Sequence, residues 1–259
     1  MKLLVDVHTH LDNERFHEDL DKVVENAVNA GIKVMITNGL DISSNRKVLA
    51  IAEKFNKKLG KSIIKVALGI YPIDCLKLSE EEIDAEIEFI KSQRKKIVAI
   101  GEIGIDYHWD KTEEGHEKQK KAFIKFVRLA KKLDIPVIVH SRDAEEDAID
   151  ILEKEACKKV DMHCFGGSLE LVKRIEKNKW FMSIPANLVI SGHFQKIVKN
   201  MDLGLLLTET DAPYLGPEKG KRNEPANVAL TIKKIADIKG MTQEDVENNI
   251  FMNYQRLFG

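Results

Sequence analysis

Short apolar runs alternate with amphipathic stretches along this chain, and that rhythm restricts the fold more than any other feature. The apolar runs fall at residues 3–10, 34–38, 63–71, 97–105, 136–141, 160–165, 180–184 and 205–210. Nearly all are followed by a stretch with helical spacing, at 19–30, 43–58, 79–94, 113–133, 143–156, 168–178 and 193–199, and helices at 225–239 and 243–257 close the chain. In the long helix at 113–133, Phe123, Phe126, Val127 and Ala130 recur at the period of a buried face. Local chemistry sets several boundaries. Gly31 is placed to stop the first helix. Pro72 halts the third strand, Ser79 with Glu82 has the pattern of a capping box, and Asp143 is placed to cap the helix after the fifth strand.

Strands that alternate with helices make parallel sheets. Eight of them in roughly 250 residues are what a (β/α)8 TIM barrel requires. An open doubly wound sheet is the competing α/β arrangement. The polar residues separate the two. His8, Glu102, His140, His163 and Asp211 end or follow the first, fourth, fifth, sixth and eighth runs. Strand ends converge at the mouth of a closed barrel, whereas an open eight-stranded sheet spreads them over tens of ångströms at about 4.8 Å per strand. The expectation is therefore a barrel. Residues 1–259 read as one domain, without a linker, a low-complexity tract or an internal repeat.

His8 and His10 are the most informative pair. Side chains at i and i+2 of a strand point the same way, so two imidazoles converge at one strand end. Imidazole suits zinc and its neighbours, and carboxylate suits harder ions. His140 ends a run too apolar to lie at the surface, and His163 ends its run in the same manner. Glu102 lies between Gly101 and the Ile103-Gly104 pair. A lone buried carboxylate is costly, so a cation must compensate it. Glu209 and Asp211 repeat the i, i+2 geometry and point inward, which turns Thr208 and Thr210 toward the helices. The same alternation turns Cys164 away from His163 and makes it a small core residue. His17, His116 and His193 lie in polar stretches and read as solvated. His108, just past the fourth run, stands beside the expected mouth and is a candidate for substrate contact.

Charge narrows the partners. The 41 basic and 42 acidic side chains leave a net charge of −1, which excludes a broad basic surface for charge-driven nucleic-acid binding but not a local basic groove. The cysteines Cys75, Cys157 and Cys164 form neither a disulfide framework nor a CxxC site, as expected of a reducing cytosol. The opening MKLLVDVHTH carries no signal-peptide core, and no apolar run approaches a membrane span. A cytoplasmic protein without a membrane partner or an obligate protein partner is expected.

The ordered blocks HTHLD, GEIGIDYHW, VIVHSRDA, HCFGG, TETDAPYL and GKRNEPANV resemble the TatD family of metal-dependent hydrolases. The likeness runs from Asp6 to the terminal Arg256-Leu257-Phe258-Gly259. It implies an amidohydrolase-like TIM barrel with two divalent ions, magnesium, manganese or zinc. It also implies deoxyribonuclease activity that removes nucleotides from 3′ ends of single-stranded DNA, with RNA as a related substrate. By that resemblance His8, His10, Glu102 and Asp211 hold one ion. Glu102, His140 and His163 hold the other, with Glu102 as the bridge. Glu209 matches an acidic residue that supports the site or positions water.

This chain departs from the family pattern in places. Gly69-Ile70-Tyr71-Pro72 carries a tyrosine where relatives have histidine, and a phenol titrates near pH 10. Residues Ser183-Ile184-Pro185-Ala186-Asn187 lack the usual serine-glycine pattern, and Gly166 replaces a frequent serine. These changes bear on substrate preference rather than on the ligands. Asp211 is expected to act as general base, and Arg142, Lys221 and Arg222 are candidates for phosphate contact. The competing functions are an amidohydrolase-like enzyme for a small amide, lactone or ester, and a non-enzymatic metal- or nucleic-acid-binding barrel.

Overall fold

The computed structural model describes residues 2–259. Strands β1 (Leu4–Thr9), β2 (Ile32–Asn38), β3 (Ile64–Leu68), β4 (Ala99–Asp106), β5 (Val137–Arg142), β6 (Val160–His163), β7 (Phe181–Ile184) and β8 (Leu206–Thr208) form one sheet in sequence order. Every neighbouring pair is parallel. Around them lie α1 (Leu20–Ala30), α2 (Ile42–Leu59), the short α3 (Pro72–Cys75), α4 (Glu80–Ser92), α5 (Glu113–Leu133), α6 (Glu145–Lys154), α7 (Leu169–Lys177), α8 (Gly192–Asn200), α9 (Val228–Lys239) and α10 (Gln243–Phe258). The fold is the (β/α)8 barrel that the alternation requires. Among the described residues no helix is long and apolar enough to cross a membrane.

The ring closes between β8 and β1 through residues just past β8. The Asp211 amide donates to the His8 carbonyl at 2.8 Å, and the His10 amide to the Ala212 carbonyl at 2.8 Å. Thr208 and Thr210 serve this seam rather than the helix layer expected from alternation. The Thr208 hydroxyl donates to the Val5 carbonyl at 2.6 Å, and the Thr210 hydroxyl to the Asp6 carboxylate at 2.6 Å. The seam thus fixes Asp211 against His8 and His10.

Both faces of the strands are covered, which is why β1 and β4 are buried along their whole length. Phe123, Phe126, Val127 and Ala130 form the buried face of α5, at the spacing read from the sequence. Each large apolar side chain buried in this way contributes roughly 1.5–3 kcal/mol. Trp180 is buried with its indole N–H donating to the Cys157 carbonyl at 2.9 Å, so burial leaves no orphaned donor. Gly31 ends α1 in the left-handed region, and Ser79 and Glu82 form both hydrogen bonds of the capping box on α4.

Some boundaries differ from expectation for local reasons. Asp143 does not cap α6. Its backbone is left-handed, Ala144 takes the capping position, and the Asp143 carboxylate faces His108 and Lys111 instead. Three acids in the first turn of α6 complement the helix dipole without a side-chain cap. β6 stops at His163 because Cys164 turns left-handed. β8 begins late because Leu203–Leu205 forms a 3-10 turn, held by the Asp202 carboxylate on the Gly204 amide.

One irregularity positions the centre. Ile100 pairs with Val137 but Ile103 pairs with Val139, so β4 carries one extra residue at Gly101-Glu102. Such a bulge re-aims a side chain. The Glu102 amide donates across to the Gly39 carbonyl at 3.1 Å. Gly69, just past β3, lies directly on the bulge, and a Cβ there would come within 2.6 Å of the Glu102 carbonyl oxygen. The site therefore requires glycine at position 69. Asn45 pins this glycine from the outer side, accepting from its amide and donating to its carbonyl.

Candidate metal centre

The strand ends bring His8, His10, Glu102, His140, His163 and Asp211 into one cluster. Glu102 divides it. Its Oε2 lies 3.2 Å from His8 Nε2 and 3.5 Å from His10 Nε2. Its Oε1 lies 2.9 Å from His140 Nδ1 and 3.9 Å from His163 Nε2. Asp211 Oδ1 lies 3.2 Å from His10 Nε2 and 3.8 Å from His8 Nε2. One carboxylate oxygen thus faces each half of the cluster.

The donor atoms fit divalent ions. Ligand atoms of His8, His10 and Asp211 lie within 4.8 Å of one another, as do those of Glu102, His140 and His163. Atoms bound to one ion at 2.0–2.2 Å stand at most about 4.4 Å apart, so little closure is needed. The tautomers fit as well. His10 Nδ1 lies 3.1 Å from the Asn38 carbonyl, which can only accept, so this nitrogen carries the proton. His163 Nδ1 lies 2.8 Å from Glu209 Oε2, and His140 Nε2 lies 3.0 Å from Asp106 Oδ2. In each ring the other nitrogen is left for the centre, which is how outer partners orient metal-binding histidines. His8 Nε2 and His10 Nε2 stand 3.1 Å apart, a contact in which at most one proton is shared and which a shared cation relieves.

Electrostatics couple the two halves. Burial, aided by the neighbouring His163, holds His8 down at about 3 and keeps it neutral. Burial also pulls His10 down, but Asp211 outweighs it and raises His10 to about 9. For His163 burial is outweighed by Glu209, and the ring rises to about 10. Glu102 is driven up by burial, yet the surrounding histidines hold it well below the usual carboxylate range. Such a cluster favours negative carboxylates and stored positive charge, the balance that cations take over on binding.

The centre opens into a cavity of about 800 Å³ whose walls include His10, Tyr71, Glu102, Trp109, His140, Arg142, His163, Cys164, His193, Asp211 and Tyr214. Asp211 reaches this surface. Glu209 does not: it is fully buried behind His163, where it accepts a hydrogen bond from the Ser183 hydroxyl. Arg142 lines the cavity, its guanidinium 5.5 Å from the Trp109 ring centroid. Lys221 and Arg222 are not among the lining residues and pair with Glu218 and Asp19. His108 is also outside the lining, turned toward Asp143 at 3.3 Å. Cys164 is half-buried, packed against the core as expected but also lining the cavity wall, because its left-handed backbone breaks strand alternation. His193 is exposed, as its polar setting predicts, and stands at the cavity rim 3.3 Å from the Phe165 carbonyl.

Sequence reasoning missed Asp106. It ends β4, accepts from the Tyr71 hydroxyl at 2.7 Å and lies against His140. Burial raises its pKa, but these two partners outweigh burial and bring it to about 2. Gln119 of α5 clamps the Asp106 backbone, accepting from its amide at 2.7 Å and donating to its carbonyl at 3.1 Å. Tyr71 therefore reaches the centre through Asp106 and His140. The available signal was the spacing of Glu102 and Asp106, four residues apart and so on one face of a strand, but the apolar run ends at residue 105, one short of Asp106.

A (β/α)8 barrel with histidines and carboxylates gathered at the strand ends is the architecture of metal-dependent hydrolases. The chain belongs to the TatD-related DNase family, whose family model matches residues 5–259. It is 35% identical over 264 residues to an uncharacterized metal-dependent hydrolase, YabD, of Bacillus subtilis, covering 99% of each chain. It is 33% identical over 263 residues to the human deoxyribonuclease TATDN3, covering 98% of this chain and 94% of that relative. Among solved structures, the Escherichia coli TatD homolog YJJV shares the fold with a TM-score of 0.88 and 24% identity, covering 98% of this chain and 97% of the other. A TatD-family hydrolase from Entamoeba histolytica does so with a TM-score of 0.89 and 22% identity, covering 99% and 98%.

Proposed function

We propose that this protein is a deoxyribonuclease that hydrolyses phosphodiester bonds at 3′ ends of single-stranded DNA, with two divalent ions held by the cluster. The observation that carries the reading is the split of Glu102, one oxygen toward His8, His10 and Asp211 and the other toward His140 and His163. His8, His10, Glu102 and Asp211 hold the first ion, and Glu102, His140 and His163 the second. When bound, divalent ions supply Lewis acidity, which makes water nucleophilic at neutral pH and neutralises charge on a phosphate.

The chain's own side chains supply the rest. Asp211, at the cavity surface, accepts the proton of the attacking water. The water oxygen bonds to phosphorus, the P–O3′ bond breaks, and solvent protonates the departing alkoxide. Arg142 offers paired N–H donors to the non-bridging phosphate oxygens. Tyr71 and Asp106 hold His140 in one orientation, and Glu209 does so for His163. A cavity at a barrel mouth admits a flexible chain end more readily than the middle of a rigid duplex.

Single strands labelled at the 5′ end, with the 3′ terminus free or blocked, test this reading in the presence of magnesium, manganese or zinc. Stepwise shortening of the free strand is expected, with the blocked strand spared and chelator stopping the shortening. Equal cleavage of both strands contradicts the exonuclease reading. Turnover of small esters or amides without cleavage of any strand transfers the site to the small-substrate class.

A further inference from the structure

Two large aromatic side chains in the cavity wall are left open to solvent. Trp109 is 66% exposed and Tyr214 is 45% exposed, and the other exposed large apolar side chains lie outside this wall. Trp109 follows β4, and Tyr214 follows β8. In a closed ring of eight, β4 and β8 are four strands apart in either direction, so the two aromatics rise from opposite sides of the mouth. Both loops are tied to the centre itself. The Trp109 amide donates to Asp106, the partner of His140, at 3.2 Å. The Tyr214 amide donates to the Asp211 carbonyl at 2.8 Å, and the Tyr214 hydroxyl accepts from Asn13 at 2.9 Å.

Exposing this much aromatic surface on fixed loops has no benefit for the folded core. The charges around it say what it meets. Arg142 is the one lysine or arginine among the lining residues, set against Asp74, Glu102, Glu145 and Asp211. One guanidinium suits one phosphate, and a backbone of several phosphates finds no matching row of cations. Attraction for the remainder of the ligand has to come from flat apolar groups. Nucleobases supply these, and stacking on aromatic rings is tolerant of sequence.

We propose that the cavity holds two adjacent nucleotides of a single strand, one base stacked on Trp109 and the other on Tyr214, with the phosphodiester between them over Glu102 and beside Arg142. This rests on the nucleic-acid reading above. It makes the recognised unit a dinucleotide step rather than a lone phosphate, and it makes the enzyme sensitive to missing bases and not to base identity.

The first test needs no catalysis. Trp180 is buried, so an oligothymidylate added to chelated protein is expected to quench only the Trp109 share of tryptophan fluorescence, saturably, and to leave Trp109→Phe unquenched. With divalent ion present, Trp109→Ala and Tyr214→Ala are each expected to raise KM for single strands by about 5- to 150-fold, the size of one base–aromatic stack. Trp109→Phe restores most of that loss. An abasic unit on one side of the cleaved bond should cost the wild type a similar factor and cost the matching alanine variant little more. Thermal unfolding of the variants is expected to match the wild type, since both side chains are exposed. Unchanged KM in both alanine variants, or indifference to abasic units in strands that are still cleaved, overturns the stacking proposal and leaves the nuclease reading standing. Absence of cleavage of any strand, with turnover of a small ester, overturns both.

Discussion

Alanine in place of Glu102 is expected to remove hydrolysis by about 1,000-fold or more at every divalent-ion concentration, since Lewis-acid stabilisation contributes several kcal/mol. Alanine in place of His8 is expected to leave an enzyme that excess ion partly restores. The difference follows from the geometry. Glu102 sets one oxygen against each half of the cluster, whereas His8 Nε2 lies with His10 and Asp211, and the His8 ring meets the other half only by stacking on His163 at 3.6 Å. Losing Glu102 removes a charge and a ligand from both halves at once. Losing His8 removes one neutral imidazole, and mass action can refill a weakened site. Matched kcat/KM measurements across an ion titration decide the matter. Recovery of Glu102→Ala by excess ion, with none for His8→Ala, rules out Glu102 as the shared ligand.

The two acids after β8 are expected to behave differently, although they stand two residues apart. Asp211→Asn should lower kcat by about 100- to 10,000-fold, the usual loss for a general base. Glu209→Gln should cost about 10- to 100-fold, as for an outer partner of a metal-binding histidine. Asp211 reaches the cavity, and its oxygen lies within 3.2 Å of His10. Glu209 is fully buried, so no substrate reaches it, and it acts by holding His163 Nδ1. Glutamine keeps an oxygen for that hydrogen bond and loses the charge. The loss in Glu209→Gln should therefore appear largely as weakened ion affinity, correctable by added ion, whereas Asp211→Asn, which removes a ligand charge as well as the base, should keep a large loss in kcat at saturating ion. An equal, ion-insensitive drop in kcat for both variants places Glu209 at the reacting atoms.

Strand and helix order was legible in the sequence because apolar periodicity and caps are local. Residues 3–10, 136–141 and 160–165 showed their histidines at strand ends, and the structure gathers those histidines with Glu102 and Asp211. Features that depend on backbone departures were not legible. The bulge at Gly101-Glu102 gives β4 an extra residue and re-aims Glu102, and the apolar run that marks β4 in the sequence stops at residue 105, one short of Asp106, which pairs beyond it and lies against His140. Left-handed backbone at Cys164 and Asp143 turned one side chain into the cavity and removed the other from a helix cap. Lys221 and Arg222 belong to a segment without strand or helix pattern, and only the fold shows that they pair with Glu218 and Asp19 away from the lining. Thr208 and Thr210 illustrate a related limit: alternation gives a face, but the partner at a barrel seam comes from the other end of the chain.

The central claim is that ions held by this cluster drive phosphodiester hydrolysis. The most direct measurement starts from chelator-stripped protein, returns divalent ion in steps, and counts bound ions per chain in the same samples used to follow shortening of a 5′-labelled single strand. The account requires no cleavage by stripped protein and a rise in activity that completes as the second ion binds. Full activity with a single ion per chain, or cleavage that persists in stripped protein, would contradict it.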